Sequence, residues 1–239
     1  MKAIIEAYFH ERVGYHTLIR ALIAHKTWII PAQKQDKELH PSLFQHEGRT
    51  LLTAYSQKEY APEQLETITV DGLWLFDQLP DIIDALVIDP QSSHALQLPR
   101  TKFGQLKQWR DAVHIEQQLA QPTFDANILE QLLQYQGYCL PLIQSPSGKR
   151  HIALAPDPEG RKLAAIFTAK DSLSAFVQHA GTSLGEELII DEPSGEALLP
   201  YLTTLPIDGI VFNCYGPPTP KALHKESLER LLAERDHHE

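Results

Sequence analysis

Near the start of the chain, Leu18, Ile19, Leu22 and Ile23 recur at helical spacing and run into Trp28-Ile29-Ile30-Pro31. The same stripe returns as Ile128, Leu129, Leu132 and Leu133, and at the same distance meets Tyr138-Cys139-Leu140-Pro141. Three further pairs follow in order. Arg49-Thr50-Leu51-Leu52-Thr53-Ala54-Tyr55-Ser56 aligns with Arg161-Lys162-Leu163-Ala164-Ala165-Ile166-Phe167-Thr168. DGLWLFDQL from Asp71 aligns with SGEALLPYL from Ser194, and the apolar run Ile83 to Pro90 with Ile207 to Cys214. Ordered matches at a nearly constant offset read as an internal duplication.

Each half is therefore predicted to contain the same elements. An amphipathic helix (near Tyr15 to His25, and Asp125 to Gln136) leads into a strand ending at the proline. A second strand ends at Ser56 or Thr168, residue types that cap a following helix. In the second half that helix covers Ala169 to His179. Strands near Glu66 to Val70 and Glu187 to Asp191 come next. Gly72 and Gly195 open short helices, and the most apolar strands, Ala85 to Ile88 and Gly209 to Phe212, complete each core. Charged amphipathic helices, Thr101 to Leu119 and Lys221 to Arg235, end the halves. The expected fold is α/β (α+β), with two similar mixed-sheet domains covering residues 1–121 and 122–239 and divided at Pro122.

Composition narrows the function. With 43% hydrophobic and 22% charged residues, the chain can bury a core and is not disordered. A net charge of -10 and a pI near 5.6 argue against a nucleic-acid binder and against docking on anionic lipid. Two cysteines make no disulfide framework. Glu6 and Glu11 interrupt the first apolar residues before a signal peptide could form, and no run is long enough to span a membrane. The expectation is a soluble cytoplasmic protein.

Ala165-Ile166-Phe167-Thr168 with Asp171 and Leu173, and Asp208-Gly209-Ile210-Val211-Phe212-Asn213, resemble the middle element and late strand of the SseB (enhanced serine sensitivity) family's amino-terminal domain. Cys214-Tyr215-Gly216-Pro217 stands where that family has Pro-Gly, and the first half has Asp89 for the family's Asn. The resemblance implies two tandem copies in a bacterial cytoplasmic protein with no established catalytic residues. It supplies a fold more than a function.

Motifs for catalysis do not survive inspection. Gly181-Thr182-Ser183-Leu184-Gly185 has the nucleophile-elbow pattern, but a helix precedes it and a strand follows, the reverse of what that chemistry needs. Gly148-Lys149-Arg150 lacks the first glycine and the hydroxyl of a phosphate loop and reads better as a hairpin turn. The histidines show no metal-ligand spacing, and His237-His238-Glu239 reads as a terminus. Of the carboxylates Asp71, Asp77, Asp81, Asp84 and Asp89, only Asp84 recurs in the second half, as Asp208, where a turn-capping role is expected. Cys214 reads as a tolerated thiol. No catalytic residue, metal ligand or cofactor is expected.

The expectation is a non-catalytic protein-binding module, an adaptor or an immunity-type neutraliser of a toxin, with an acidic surface suited to a basic protein partner. The alternatives are a small-ligand sensor with a pocket between the halves, and an enzyme whose residues converge only in space. Partner contacts are expected where the repeats disagree. Leu73 aligns with Glu196 and Trp74 with Ala197, so both are expected to cover something outside their own core. Asn213, Tyr215 and Pro217 form the second candidate surface, a segment presented by a buried strand and stiffened by proline.

Overall fold

The computed structural model describes residues 1–35, 37–179, 186–215 and 220–236. It is a mixed α+β structure that divides into two compact units, Met1–Val113 and His114–Glu239.

The first unit opens with α1 (Lys2–Phe9) and α2 (Tyr15–Ala24), followed by β1 (Trp28–Gln35), β2 (Glu38–Pro41), β3 (Leu43–His46) and β4 (Arg49–Ala54). Next come β5 (Glu66–Val70), α3 (Gly72–Asp77), β6 (Ala85–Ile88), β7 (Leu96–Pro99) and α4 (Phe103–Leu119). The predicted stripe Leu18, Ile19, Leu22 and Ile23 is fully buried on α2, each side chain contributing about 1.5–3 kcal/mol. One sheet has the order β2-β1-β5, the other β3-β4-β6-β7, and in the latter β4 and β6 run parallel.

The second unit contains α5 (Ala126–Gln134), β8 (Leu140–Gln144), β9 (Arg150–Ile152), β10 (Leu154–Ala155) and β11 (Leu163–Ile166). It continues with α6 (Lys170–His179), β12 (Glu187–Asp191), α7 (Gly195–Thr203), β13 (Gly209–Phe212), β14 (Lys221–His224) and α8 (Lys225–Asp236). Its sheets, β12-β8-β9 and β10-β11-β13-β14, repeat the order of the first unit, again with one parallel pair, β11 and β13. Gly148-Lys149-Arg150 lies at the β8–β9 hairpin, closed by the Ser145 N–H donating to the Lys149 carbonyl at 2.9 Å, with Gly148 at φ +80.

Four predicted boundaries move. β1 does not end at Pro31, and β8 begins beside Pro141, because each proline sits where no bond to the neighbouring long strand is needed. Ile29 exchanges N–H···O bonds with Tyr55 and Cys139 with Phe167, so Pro31 and Pro141, two residues on, also turn away from β5 and β12. Lys221–His224 is a strand rather than the first turn of a helix, since it pairs with the whole of β13. The division between units falls inside α4: Phe103, Leu106 and Val113 join the first core, while Glu116 bonds to Thr168 of the second unit.

The short helices are placed by their first residue. Asp71 accepts the Trp74 N–H at 2.8 Å and Ser194 accepts the Ala197 N–H at 3.2 Å, so both helices are N-capped. A Cβ on Gly72 would fall on the backbone carbonyls of Leu22 and Ile23, and one on Gly195 on those of Leu132 and Leu133. Only glycine permits this approach, in which Gly72 N–H donates to His25 at 2.7 Å and Gly195 N–H to Tyr135 at 2.8 Å.

Candidate functional site

In each unit polar side chains gather at the two ends of the parallel strand pair. At the entry end, Asp84 Oδ2 accepts the Thr50 N–H at 2.8 Å, and Asp208 Oδ2 accepts the Lys162 N–H at 2.7 Å. The reverse bonds, Asp84 N–H to Thr50 carbonyl and Asp208 N–H to Lys162 carbonyl, close each pair at 2.7 and 2.9 Å. These carboxylates therefore hold two strand starts together across the sheet, rather than capping a local turn as expected of them.

The carboxyl ends of such strands are where ligands commonly bind in α/β sheets. Here Asp89 is fully buried at φ +46, and Asn213 is 1% exposed at φ +52. Asp and Asn adopt this left-handed backbone more readily than other side chains do. Asp89 Oδ1 accepts the Ser56 N–H and Oδ2 the Ser56 hydroxyl, both at 2.7 Å. Asn213 Oδ1 accepts the Thr168 N–H at 3.0 Å, and its Nδ2 donates to Thr168 Oγ1 at 3.1 Å. Ser56 and Thr168 thus bond across to the neighbouring strand.

Around this shared latch the units differ. In the first, buried His94 places Nε2 3.4 Å from Asp89 Oδ2 and meets Tyr60 edge-on with centroids 5.5 Å apart. In the second, the Thr168 hydroxyl donates to buried Glu116 at 2.6 Å, and the Tyr135 hydroxyl donates to the Thr168 carbonyl. Each latch contains one carboxylate, supplied from a different place in the chain. Ser56, Asp89 and His94 are the residue types of a nucleophilic triad, but the carboxylate lies between hydroxyl and imidazole. The histidine cannot take the serine proton from there, and the cluster is shut off from solvent. It fastens strand ends.

Other chemistry-bearing groups are similarly engaged. Burial pushes the thiols of Cys139 and Cys214 up to about 11, which leaves both protonated at neutral pH. A cleft of about 380 Å³ in the second unit is lined by Arg161, Asp208, His224, Lys225 and Glu229 among others. Its cations are occupied: Arg161 donates to Asp157 at 2.8 Å and Lys225 to the Leu205 carbonyl at 2.8 Å. The Arg161 guanidinium holds the Asp157 carboxyl at about 2. Among the described residues, no three His, Cys, Asp or Glu side chains are grouped to hold a metal ion. No described helix is long and apolar enough to cross a membrane.

The predicted partner residues separate. Trp74 is 40% exposed on α3, whereas Leu73 is half-buried and packs on the core of its own unit. The position paired with Ala197 is thus exposed, and the one paired with Glu196 lies against its own core. Asn213 is locked in its latch by Thr168 and is buried. Tyr215 is 38% exposed, with its ring 6.1 Å from Phe176. Pro217 lies outside the described residues, as do the 181–185 glycine-serine string and the 237–239 histidines. The latches themselves went unrecognised, although the aligned Ser56/Thr168 and Asp89/Asn213 pairs already stood in register in the sequence.

Comparison with curated proteins gives no match. Residues 8–103, a span running from the end of α1 to the start of α4, match the SseB protein N-terminal domain, so the first unit carries a domain of that kind.

Proposed function

We propose that the chain is a non-catalytic protein-binding module of SseB type, a cytoplasmic adaptor or an immunity-type neutraliser that engages a basic protein partner. The second unit is then a second SseB-type domain that arose by duplication of the first. Its matching sheet orders, glycine-seated short helix and strand-end latches support that origin.

One observation carries the binding reading. Trp74 stands exposed on a helix whose position is set by its N-cap and by the seating of Gly72, so the ring is presented with little freedom left to lose. Rigid aromatic anchors of this kind dominate protein interfaces. The surrounding segment supplies exposed Asp71, Asp81 and Asp84 and the exposed apolar side chain of Ile82. Asp77 is the member of this group that pairs with a base, Arg110, at 2.7 Å.

The test is a photo-crosslinking side chain placed at position 74 in producing cells, with a second placed at exposed Gln33 as control. A discrete adduct with another polypeptide at 74 and none at 33 is expected. Trp74→Ala should then weaken binding of that purified polypeptide by about 2 kcal/mol with folding unchanged. Unchanged affinity would remove α3 from the interface.

A further inference from the structure

β12 pairs on one side with β8, from Glu187 opposite Gln144 to Asp191 opposite Leu140, and among the described residues no strand pairs with its other side. The register fixes which backbone groups face that open edge. Cys139 exchanges bonds with Phe167 at 2.8 and 3.0 Å, and the Pro141 carbonyl accepts the Ala153 N–H at 2.9 Å. Both residues thus direct their backbone polar groups away from β12. Ile190, opposite Pro141, is therefore in a non-hydrogen-bonded pair, and by alternation so is Leu188. The N–H and C=O groups of Leu188 and Ile190 point outward, as a template for one more strand.

Native edges are ordinarily blunted by lysine, proline or a bulge. β12 has none of these in its centre. It reads Glu186, Glu187, Leu188, Ile189, Ile190, Asp191, Glu192: three half-buried apolar residues between pairs of acids. Glu187 and Asp191 are exposed, while Glu192 pairs with Lys170 at 2.7 Å. The corresponding edge of the first unit, β5, turns Thr67 and Thr69 outward and is less apolar. The acids also choose the occupant. Two copies of β12 added antiparallel would set Glu187 against Asp191 twice, and like charges placed directly opposite are destabilising. A strand with basic residues at both ends removes that repulsion and gains complementarity.

We propose that the outer edge of β12 docks an extended apolar segment flanked by Lys or Arg, which joins the sheet of the second unit as an added strand. The proposal rests on the protein-binding reading above and names a surface and a partner chemistry for it, without using Trp74.

The probe is a fluorescein-labelled peptide, Lys-Lys-Val-Ile-Val-Lys-Lys, titrated by anisotropy against the full chain. Controls are the same core flanked by Glu, and the basic peptide N-methylated at alternate amides. The basic peptide should bind about tenfold or more tightly than its Glu-flanked counterpart. N-methylation should abolish binding, and the bound peptide should slow amide exchange at Leu188 and Ile190. Glu187→Lys with Asp191→Lys leaves the β8 ladder untouched and should reverse the preference. Equal affinity for the two charge types, retained binding of the N-methylated peptide, or protection confined to other amides overturns the proposal. If no peptide binds while a partner still crosslinks through position 74, the edge assignment fails and the module reading stands. Edge binding without any crosslink at 74 keeps the edge assignment and removes α3 from the interface.

Discussion

At the scale of single residues, the most informative difference is Asp89 in one latch against Asn213 in the other. In the first unit the carboxylate belongs to the latch residue, with Glu6 of α1 out at the surface 3.7 Å from Lys2. In the second, Glu116 reaches Thr168 and the latch residue is a neutral amide. Asn213→Asp should therefore place two buried carboxylates around one threonine and cost about 3–5 kcal/mol, as uncompensated buried charge does. Asp89→Asn reproduces the bonding of the other unit and should cost about 1 kcal/mol. Urea titration followed by circular dichroism measures both. A second titratable difference is His25, which occupies the position after α2 that Tyr135 occupies after α5. Burial, beside Trp28 at a centroid distance of 4.7 Å, holds its imidazole below the ordinary 6.5. The folded chain then binds fewer protons than the unfolded one. The stability due to neutral His25 is complete above about pH 6.5 and falls as acid protonates the unfolded chain first. His25→Tyr should flatten the dependence of stability on pH between about 5 and 7, relative to the unaltered chain.

At the scale of elements, apolar periodicity was a sufficient guide wherever an element is buried on a broad face. Leu18 to Ile23, Ile128 to Leu133, Ala85 to Ile88 and Gly209 to Phe212 lie in the predicted helices and strands. Edge strands were harder. In β14 only Leu223 is buried, and its neighbours blend into a charged helix, so four residues carry no strand pattern of their own. β7 did alternate, with Leu96 and Leu98 inward and Gln97 and Pro99 outward, but a strand this short needs its partner to be recognised. The short helices α3 and α7 yield a test of their seating. Gly72→Ala or Gly195→Ala drives a methyl onto the carbonyls of the preceding helix and should destabilise that unit by about 1–3 kcal/mol. Gly104, within α4, meets nothing in its place, and Gly104→Ala should stabilise by about 0.5–1 kcal/mol. Thermal unfolding of the three variants orders them.

At the scale of the whole molecule, the paired succession of elements was legible but its division was not. Ile115 stands at the same spacing before Ile128 as buried Ile5 does before Leu18, a signal that the last turns of α4 serve the second unit as α1 serves the first. A continuous helix hides this, because its period does not change where one core ends and the next begins. Charge is divided unevenly: nine Lys and Arg against 17 Asp and Glu from His114 onward, and 12 against 14 before it. Trp28, Trp74 and Trp109 all precede His114, so tryptophan emission follows the first unit while circular dichroism follows both. The neutral latch also sets a limit on how long the chain withstands heat. Hydrolysis of one amide would turn Asn213 into the aspartate that Asn213→Asp introduces deliberately. While the unit is folded, that amide is sealed from water and held by Thr168. Each passage through the unfolded state exposes it to a change that refolding cannot undo. Heated samples should lose reversibility in step with the fraction of Asn213 that mass spectrometry finds deamidated, leaving in each molecule a chemical record of its time spent unfolded.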